Sequence, residues 1–213
     1  MIILESERLR LRPFRDADLE AFAAYRSDPD VARYQSWTPP YSLSQAAAFL
    51  AQMKAAQPGV PGVWYQLAIE CRERAGMIGD CAFQVLAADS RQAQIGFTLA
   101  RGHQKQGFAA EAVQRLLDYL FGELGLHRVI AVCDVENLAS ARLLERVGMR
   151  REGNFVENIH FKGVWGSEYF YALLDREWRR VLPPDDGPRI ASGPSRTGPL
   201  PPEPDQDGSG KRT

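Results

Sequence analysis

A chain of 213 residues with 45% hydrophobic and 25% charged content has the make-up of an ordinary globular protein, long enough for one domain with a sizeable core. No stretch approaches the roughly 18 apolar residues that cross a bilayer as a helix, and a net charge of -1 supplies no overall field to draw in nucleic acid, so neither a membrane span nor a nucleic-acid partner is expected. Cys71, Cys81 and Cys133, odd in number and set among apolar residues, read as buried free thiols; with no basic-then-apolar start, a cytoplasmic protein is expected.

Leu9 and Leu11 alternate with Arg8, Arg10 and Arg12 and stop at Pro13, which predicts a half-exposed first strand. A helix follows, with Asp16 as N-cap, Leu19, Phe22 and Tyr25 on one face and Asp28-Pro29 as the stop. After an irregular segment around Trp37 and Tyr41, Ser42-Leu-Ser-Gln45 is a capping box, and Ala46, Phe49, Leu50 and Met53 form the stripe of a second helix that ends at Pro58-Gly59. Trp64 to Glu70 and Met77 to Leu86 read as a meander across a charged turn. In 92–99, Ala93, Ile95, Phe97 and Leu99 alternate with Gln92, Gln94, Gly96 and Thr98, a strand, after which Ala109, Ala112, Val113, Leu116, Leu117, Leu120 and Phe121 recur at helical spacing up to Gly122 and Gly125. Val129 to Val135 is a nearly unbroken apolar run, as in a strand buried on both faces. Asn137 caps a short helix through Ala141, Leu144 and Val147, and 155–161 with 169–174 complete a hairpin across Lys162-Gly163. The order β-α-α-β-β-β-α-β-α-β-β describes an α+β domain over 1–182; the Pro/Gly-rich remainder, 183–213, is expected to be a disordered tail.

The segment His103-Gln-Lys-Gln-Gly-Phe-Ala-Ala-Glu-Ala112 lies where the alternating strand gives way to the helix. A helix N-terminus offers unpaired N–H groups and the positive end of the macrodipole, and Gly107 lets the backbone approach a bulky anion. Lys105 adds a charge, so a diphosphate suits the loop, although an ordinary strand–helix connection turning at Gly107 has the same letters. No Walker or dinucleotide fingerprint is present in the chain.

Gln104-x-x-Gly107-x-Ala109, the longer run 106–112 with its Glu111, and Asn137-Leu-Ala-Ser140 through Gly148-Met149 resemble the GNAT superfamily of acyl-CoA N-acyltransferases, in its Rim-type branch of ribosomal-protein N-terminal acetyltransferases. Glu7-Arg-Leu-Arg-Leu-Arg-Pro13 and Trp37-Thr-Pro are similar to that branch too, so the resemblance spans about 1–178. It implies a mixed, mostly antiparallel sheet flanked by helices, with a splayed parallel strand pair formed by 92–100 and 128–135. It further implies acetyl-CoA as cosubstrate, with no metal. Phe97, Thr98 and Leu99 would meet the pantetheine arm, Gln104, Lys105, Gln106, Gly107, Phe108 and Ala109 the pyrophosphate, and Asn137 the far end of the arm.

Many members of the superfamily carry a Tyr seven residues after the Asn to protonate the departing thiolate; this chain has Leu144 there. The branch implies Ser140 as the hydrogen-bond donor to sulfur instead. For the proton of the attacking amine the candidates are Glu157, favoured by the branch, and His160 or Glu111. Trp37 and Tyr41, aromatic residues in an irregular loop, are expected to line the acceptor pocket. The reaction implied is direct attack of a primary amine, from a peptide N-terminus or a small molecule, on the thioester within a ternary complex, by a monomer or homodimer. The alternative is a CoA-binding module without catalysis. An RNA partner has only Lys211-Arg212 and the branch's name in its favour.

Overall fold

Alternation of leucine with arginine predicts a strand with one wet face, but the computed structural model, which describes residues 2–73 and 76–181, makes that strand interior. β2 (Leu9–Arg12) lies between the two-residue β1 (Leu4–Glu5) and β3 (Trp64–Cys71), with Leu11 opposite both Leu4 and Ile69. The half-exposed first strand is thereby corrected, and the reason is local charge. Arg12, only 2% exposed, donates to both Asp18 oxygens at 2.7 and 2.8 Å and to Glu70 at 3.1 Å. A cation that would otherwise need water is thus neutralised within the protein, and its hydrogen bond holds the Glu70 carboxyl below the usual range. Asp18 also accepts the Arg15 N–H at 2.7 Å. It, rather than the expected Asp16, governs the turn into α1 (Leu19–Arg26), while Asp16 lies on the surface against Lys54.

Asp28 does more than stop α1: its Oδ1 accepts the Asp30 N–H at 2.9 Å and caps a further short helix, α2 (Pro29–Ala32). The capping box of α3 (Leu43–Ala55) forms as its sequence predicts, with Gln45 N–H donating to Ser42 Oγ at 3.2 Å and Ser42 N–H to Gln45 Oε1 at 2.8 Å. β4 (Met77–Val85) and β5 (Gln92–Leu99) continue the meander. The amphipathic helix is α4 (Phe108–Asp118), prolonged by a π turn at Tyr119–Glu123 that ends in the glycine-bearing segment. β6 (Arg128–Asp134) follows, buried on both faces as its apolar run predicts, then α5 (Leu138–Arg146). The hairpin of β7 (Arg150–Phe161) and β8 (Val164–Leu174) is longer than its pattern suggests, because register shifts at Arg151/Gly153 and Phe155/Ile159 break the period of two. α6 (Asp175–Val181) was not anticipated.

Among the described residues the strands form one eight-stranded sheet in the order β1-β2-β3-β4-β5-β6-β8-β7. Every neighbouring pair is antiparallel except β5 with β6. Successive side chains of a strand face opposite ways, so each face has its own core. Leu67 and Ile69 pack with Val113, Leu116 and Leu144 of α4 and α5; Ala68, between them, packs with Phe22, Tyr25, Leu50 and Met53 of α1 and α3. Cys71, Cys81 and Cys133 are buried free thiols. No helix among the described residues is long and apolar enough to cross a membrane. The tail expected from residue 183 onward lies outside the described residues.

Removing one partner of the Arg12–Asp18 pair leaves a buried charge uncompensated. Asp18→Ala should therefore cost about 3–5 kcal/mol in urea unfolding, and the double variant Arg12→Met/Asp18→Leu much less. Equal losses for the two variants would show that the pair is not the reason the first strand can be interior.

Candidate active site

β5 and β6 run parallel and pair from Gln92↔Arg128 to Ile95↔Ala131. Pairing stops there, although β5 continues to Leu99 and β6 to Asp134. Their outer edges stay bonded, with Leu99 opposite Gly79 of β4 and Asp134 opposite Glu168 of β8. The strands can therefore part only along their shared edge, which opens a cleft of about 110 Å³. Its walls are Ile95, Gly96 and Phe97 of β5, residues 131–134 of β6, Asn137 and Ser140 from the start of α5, and Leu144 two turns into that helix; Tyr34 and Gln35, just after α2, also border it. A side chain at Gly96 would meet no atom within 4 Å, so its absence widens the cleft. Of the three β5 residues expected to meet the pantetheine arm, Phe97 lines the cleft, whereas the side chains of Thr98 and Leu99 are buried.

At the end of β5 the chain makes a turn at Arg101–His103 and enters the loop before α4. Two glutamines hold this loop by their side-chain amides: Gln104 Nε2 donates to Leu99 O at 3.0 Å and Gln106 Nε2 to Gly102 O at 2.9 Å. Lys105 at φ 61° and Gly107 at φ 83° then turn the backbone through the left-handed region. The first α4 hydrogen bond runs from Glu111 N–H to Gly107 O at 3.1 Å. Among the described residues, no N–H from Lys105 through Ala110 donates to a protein acceptor. The result is a run of free donors, backed by the helix dipole and by the exposed Lys105, that suits a phosphate-bearing ligand.

Glu111, weighed above as a base, is committed elsewhere. Its Oε1 accepts from Ser6 Oγ and the Arg8 N–H, both at 2.8 Å, and its Oε2 from Arg8 Nε and Nη2, both at 2.7 Å. Burial alone would raise its pKa, but the hydrogen bonds from Arg8 and Ser6 outweigh it and hold the carboxyl below the ordinary range. A carboxylate so saturated has no lone pair to offer an amine.

At the far end of the cleft, Asn137 Oδ1 accepts the Ser140 N–H at 3.2 Å and caps α5. The capping is done by the asparagine, and among the described residues no protein group hydrogen-bonds Ser140 Oγ; Ser140 lines the cleft. Leu144, where a tyrosine would stand, is 1% exposed and closes that wall with hydrocarbon.

The remaining expected residues stand outside the lining of this cleft. Glu157 sits exposed on the irregular stretch of β7 at φ 47°, its N–H bonded to Ser167 Oγ at 2.9 Å, and is not among the cleft-lining residues. His160 is exposed against the Trp165 ring at 5.4 Å, likewise outside the cleft. Trp37 and Tyr41 do not border the cleft either: they enclose Arg26, whose guanidinium lies 4.0 Å from the Trp37 ring centre, 4.1 Å from Phe22 and 5.3 Å from Tyr41. Both residues are half-buried, with Arg26 packed against their rings. Missed by sequence reasoning were Gln35 and Asp134, both lining the cleft, and Tyr34, an aromatic residue assigned to the core. Asp134 had a signal, a carboxylate closing an apolar strand three residues before the helix-capping Asn137. One of its oxygens accepts the Glu136 N–H at 2.7 Å.

The family model for the acetyltransferase (GNAT) domain matches residues 8–150. The uncharacterised N-acetyltransferase p20 of Bacillus licheniformis is 34% identical over 178 residues, which span 84% of this chain and 99% of that protein. The crystal structure of a GNAT-family acetyltransferase from Bacillus anthracis superposes with a TM-score of 0.74 at 31% identity, covering 83% of this chain and 100% of that one. A spermidine N-acetyltransferase from Vibrio cholerae, crystallised with CoA and spermine, shares the fold with a TM-score of 0.69 at 22% identity, covering 81% and 99% of the two chains.

Proposed function

The chain belongs to the GNAT acetyltransferase family, and from that premise we propose that it moves the acetyl group of acetyl-CoA onto a primary amine of a peptide N-terminus or a small molecule, by direct attack in a ternary complex. The observation that carries this reading is the interrupted β5–β6 pairing, with a run of free amides at one end and the free hydroxyl of Ser140 at the other. The backbone of 105–110 would hold the diphosphate, the parted edges of β5 and β6 beside Phe97 the amide-bearing arm, and Asn137 and Ser140 the sulfur end. When bound, acetyl-CoA supplies the acyl group and a thiolate leaving group.

The nitrogen lone pair of the amine forms the new C–N bond as the C–S bond breaks, and the electron pair leaves on sulfur. Ser140 Oγ–H hydrogen-bonds that sulfur, the role the missing tyrosine would have filled. Asp134 takes over from Glu157 as acceptor of the amine's proton, because Asp134 borders the cleft and Glu157 does not. How much the base matters depends on the amine: near pH 7.2 an α-amino group is about a tenth to a quarter neutral, a lysine side chain only about a thousandth.

Thiol release from acetyl-CoA against panels of peptides and amines tests the activity, and binding without release on any of them would leave a CoA-binding module. Gly107→Glu places a carboxylate among the free amides at a positive φ and should weaken CoA binding in titration calorimetry by at least about tenfold; unchanged affinity means that the loop is not the diphosphate site. Ser140→Ala should lower kcat by about tenfold with little change in CoA affinity, whereas equal loss of both, or of neither, counts against a donor acting on sulfur. Asp134→Asn retains an oxygen for the Glu136 N–H and should reduce kcat by about a hundredfold, partly recovered at higher pH. An unaltered kcat would assign proton removal to solvent.

A further inference from the structure

Arg8 is the last residue of the β1–β2 turn, and it meets the loop before α4 and the first turn of α4 by four separate contacts. Its Nε and Nη2 hold Glu111 Oε2, its Nη1 donates to Gln106 O at 3.1 Å, and its guanidinium lies 4.6 Å from the centre of the Phe108 ring. It also fills the space beneath Gly107, where an added Cβ would stand 3.2 Å from Arg8 Nη2. Ser6 Oγ and the Arg8 N–H complete the attachment of the turn to Glu111.

The Gln106 contact has a consequence across the peptide bond. In a planar trans peptide the C=O of one residue and the N–H of the next point in opposite directions. With Gln106 C=O drawn toward Arg8, the Gly107 N–H must face away from it, outward with the other free amides. Glycine tolerates either orientation of the adjoining peptide, so nothing in Gly107 itself prevents a flip that would turn a carbonyl outward and repel an anion. We propose that Arg8 is a positioning residue for the acyl donor: it locks the Gln106–Gly107 peptide with its N–H outward and seats the first turn of α4 through Glu111, without touching the ligand. Its donors are directed at Glu111 and Gln106, so it acts through the loop and not as a phosphate ligand. A lysine, a point charge on a flexible stem, cannot make the fork to Glu111 and reach Gln106 O together.

The inference rests on the reading of 105–110 as the diphosphate site, and the test separates the two. Initial rates are measured with acetyl-CoA and with S-acetylpantetheine, which lacks the diphosphate, for the wild type, Arg8→Gln and Arg8→Lys. The wild type should favour acetyl-CoA in kcat/KM. Arg8→Gln should raise KM for acetyl-CoA about tenfold with kcat within about twofold, and should spare S-acetylpantetheine. Arg8→Lys should resemble Arg8→Gln. Equal losses on both donors, a loss confined to kcat, or recovery by lysine would each overturn the positioning role while leaving the loop assignment in place. A wild type indifferent to the diphosphate would overturn the loop assignment and this inference with it. Glu111→Gln, which removes the charge that orients Arg8 but keeps an acceptor oxygen, should show the same donor-selective rise in KM to a smaller degree, and a change equal on both donors would again count against positioning.

Discussion

Everything in the site depends on where two parallel strands stop pairing. β5 and β6 are each held by an antiparallel neighbour along their outer edges, so ending their mutual ladder at Ile95↔Ala131 does not loosen them; it leaves two fixed edges facing each other across a gap. Peptide groups along those edges have lost their strand partner, and they must find water or another amide-bearing chain. The small residues Gly96 and Ala131 stand where the gap opens, and the buried Leu144 closes one wall. On one face Ile95 and Leu99 of β5 and Ala131 and Cys133 of β6 share an apolar core with α4 and α5, which anchors both strands beside the gap.

A second principle governs the ends of the gap: side chains satisfy local backbone groups so that others remain free. At the α4 end, Gln104, Gln106 and Arg8 all donate to carbonyls, of Leu99, Gly102 and Gln106, and the amides of 105–110 are left without a protein acceptor. At the α5 end Asn137 caps the helix and the Ser140 hydroxyl is left free. A helix N-terminus that capped itself with every available side chain would be more stable alone and useless to a ligand.

Local period made much of this legible. The alternation in 92–99, its switch to helical spacing at Ala109, and the Asn137 cap are properties of neighbouring residues, and they locate the strand and both helix starts, whereas the parallel pairing of 92–100 with 128–135 follows only from the family resemblance. What could not be read was long-range partnership. Arg12 looked like a solvent-facing residue until Asp18 and Glu70 were seen to enclose it. Glu111 reads from the sequence as a candidate base, although it ties α4 to a turn more than a hundred residues away in the chain, the separation of Arg8 and Glu111 being 103. Trp37 and Tyr41 are expected from the sequence to line an acceptor pocket, whereas the structure packs Arg26 against them and brings Tyr34 and Gln35 to the cleft. Irregular segments carry no period, so the residue of a loop that turns inward is decided by what the core leaves open.

The two halves of the site differ in how firmly they are held, and this bears on how such a site acquires a substrate. The donor half is built into the sheet and α4, whose Ala112, Val113 and Leu116 are fully buried. The segment from Ala32 to Gln35 is fastened by surface contacts: Lys162 Nζ to Ala32 O at 2.6 Å, Arg33 to Glu136 at 3.2 Å, and Tyr34 OH to Glu136 O at 3.3 Å. Exposed ion pairs such as Arg33–Glu136 are worth about 0–1 kcal/mol. Substitutions in 33–35 or at Glu136 can therefore reshape the cleft mouth with little effect on the parted strands or the loop. The parted strands and the loop before α4 are consequently set by the buried core, while Tyr34 and Gln35 at the cleft border are held by exposed contacts.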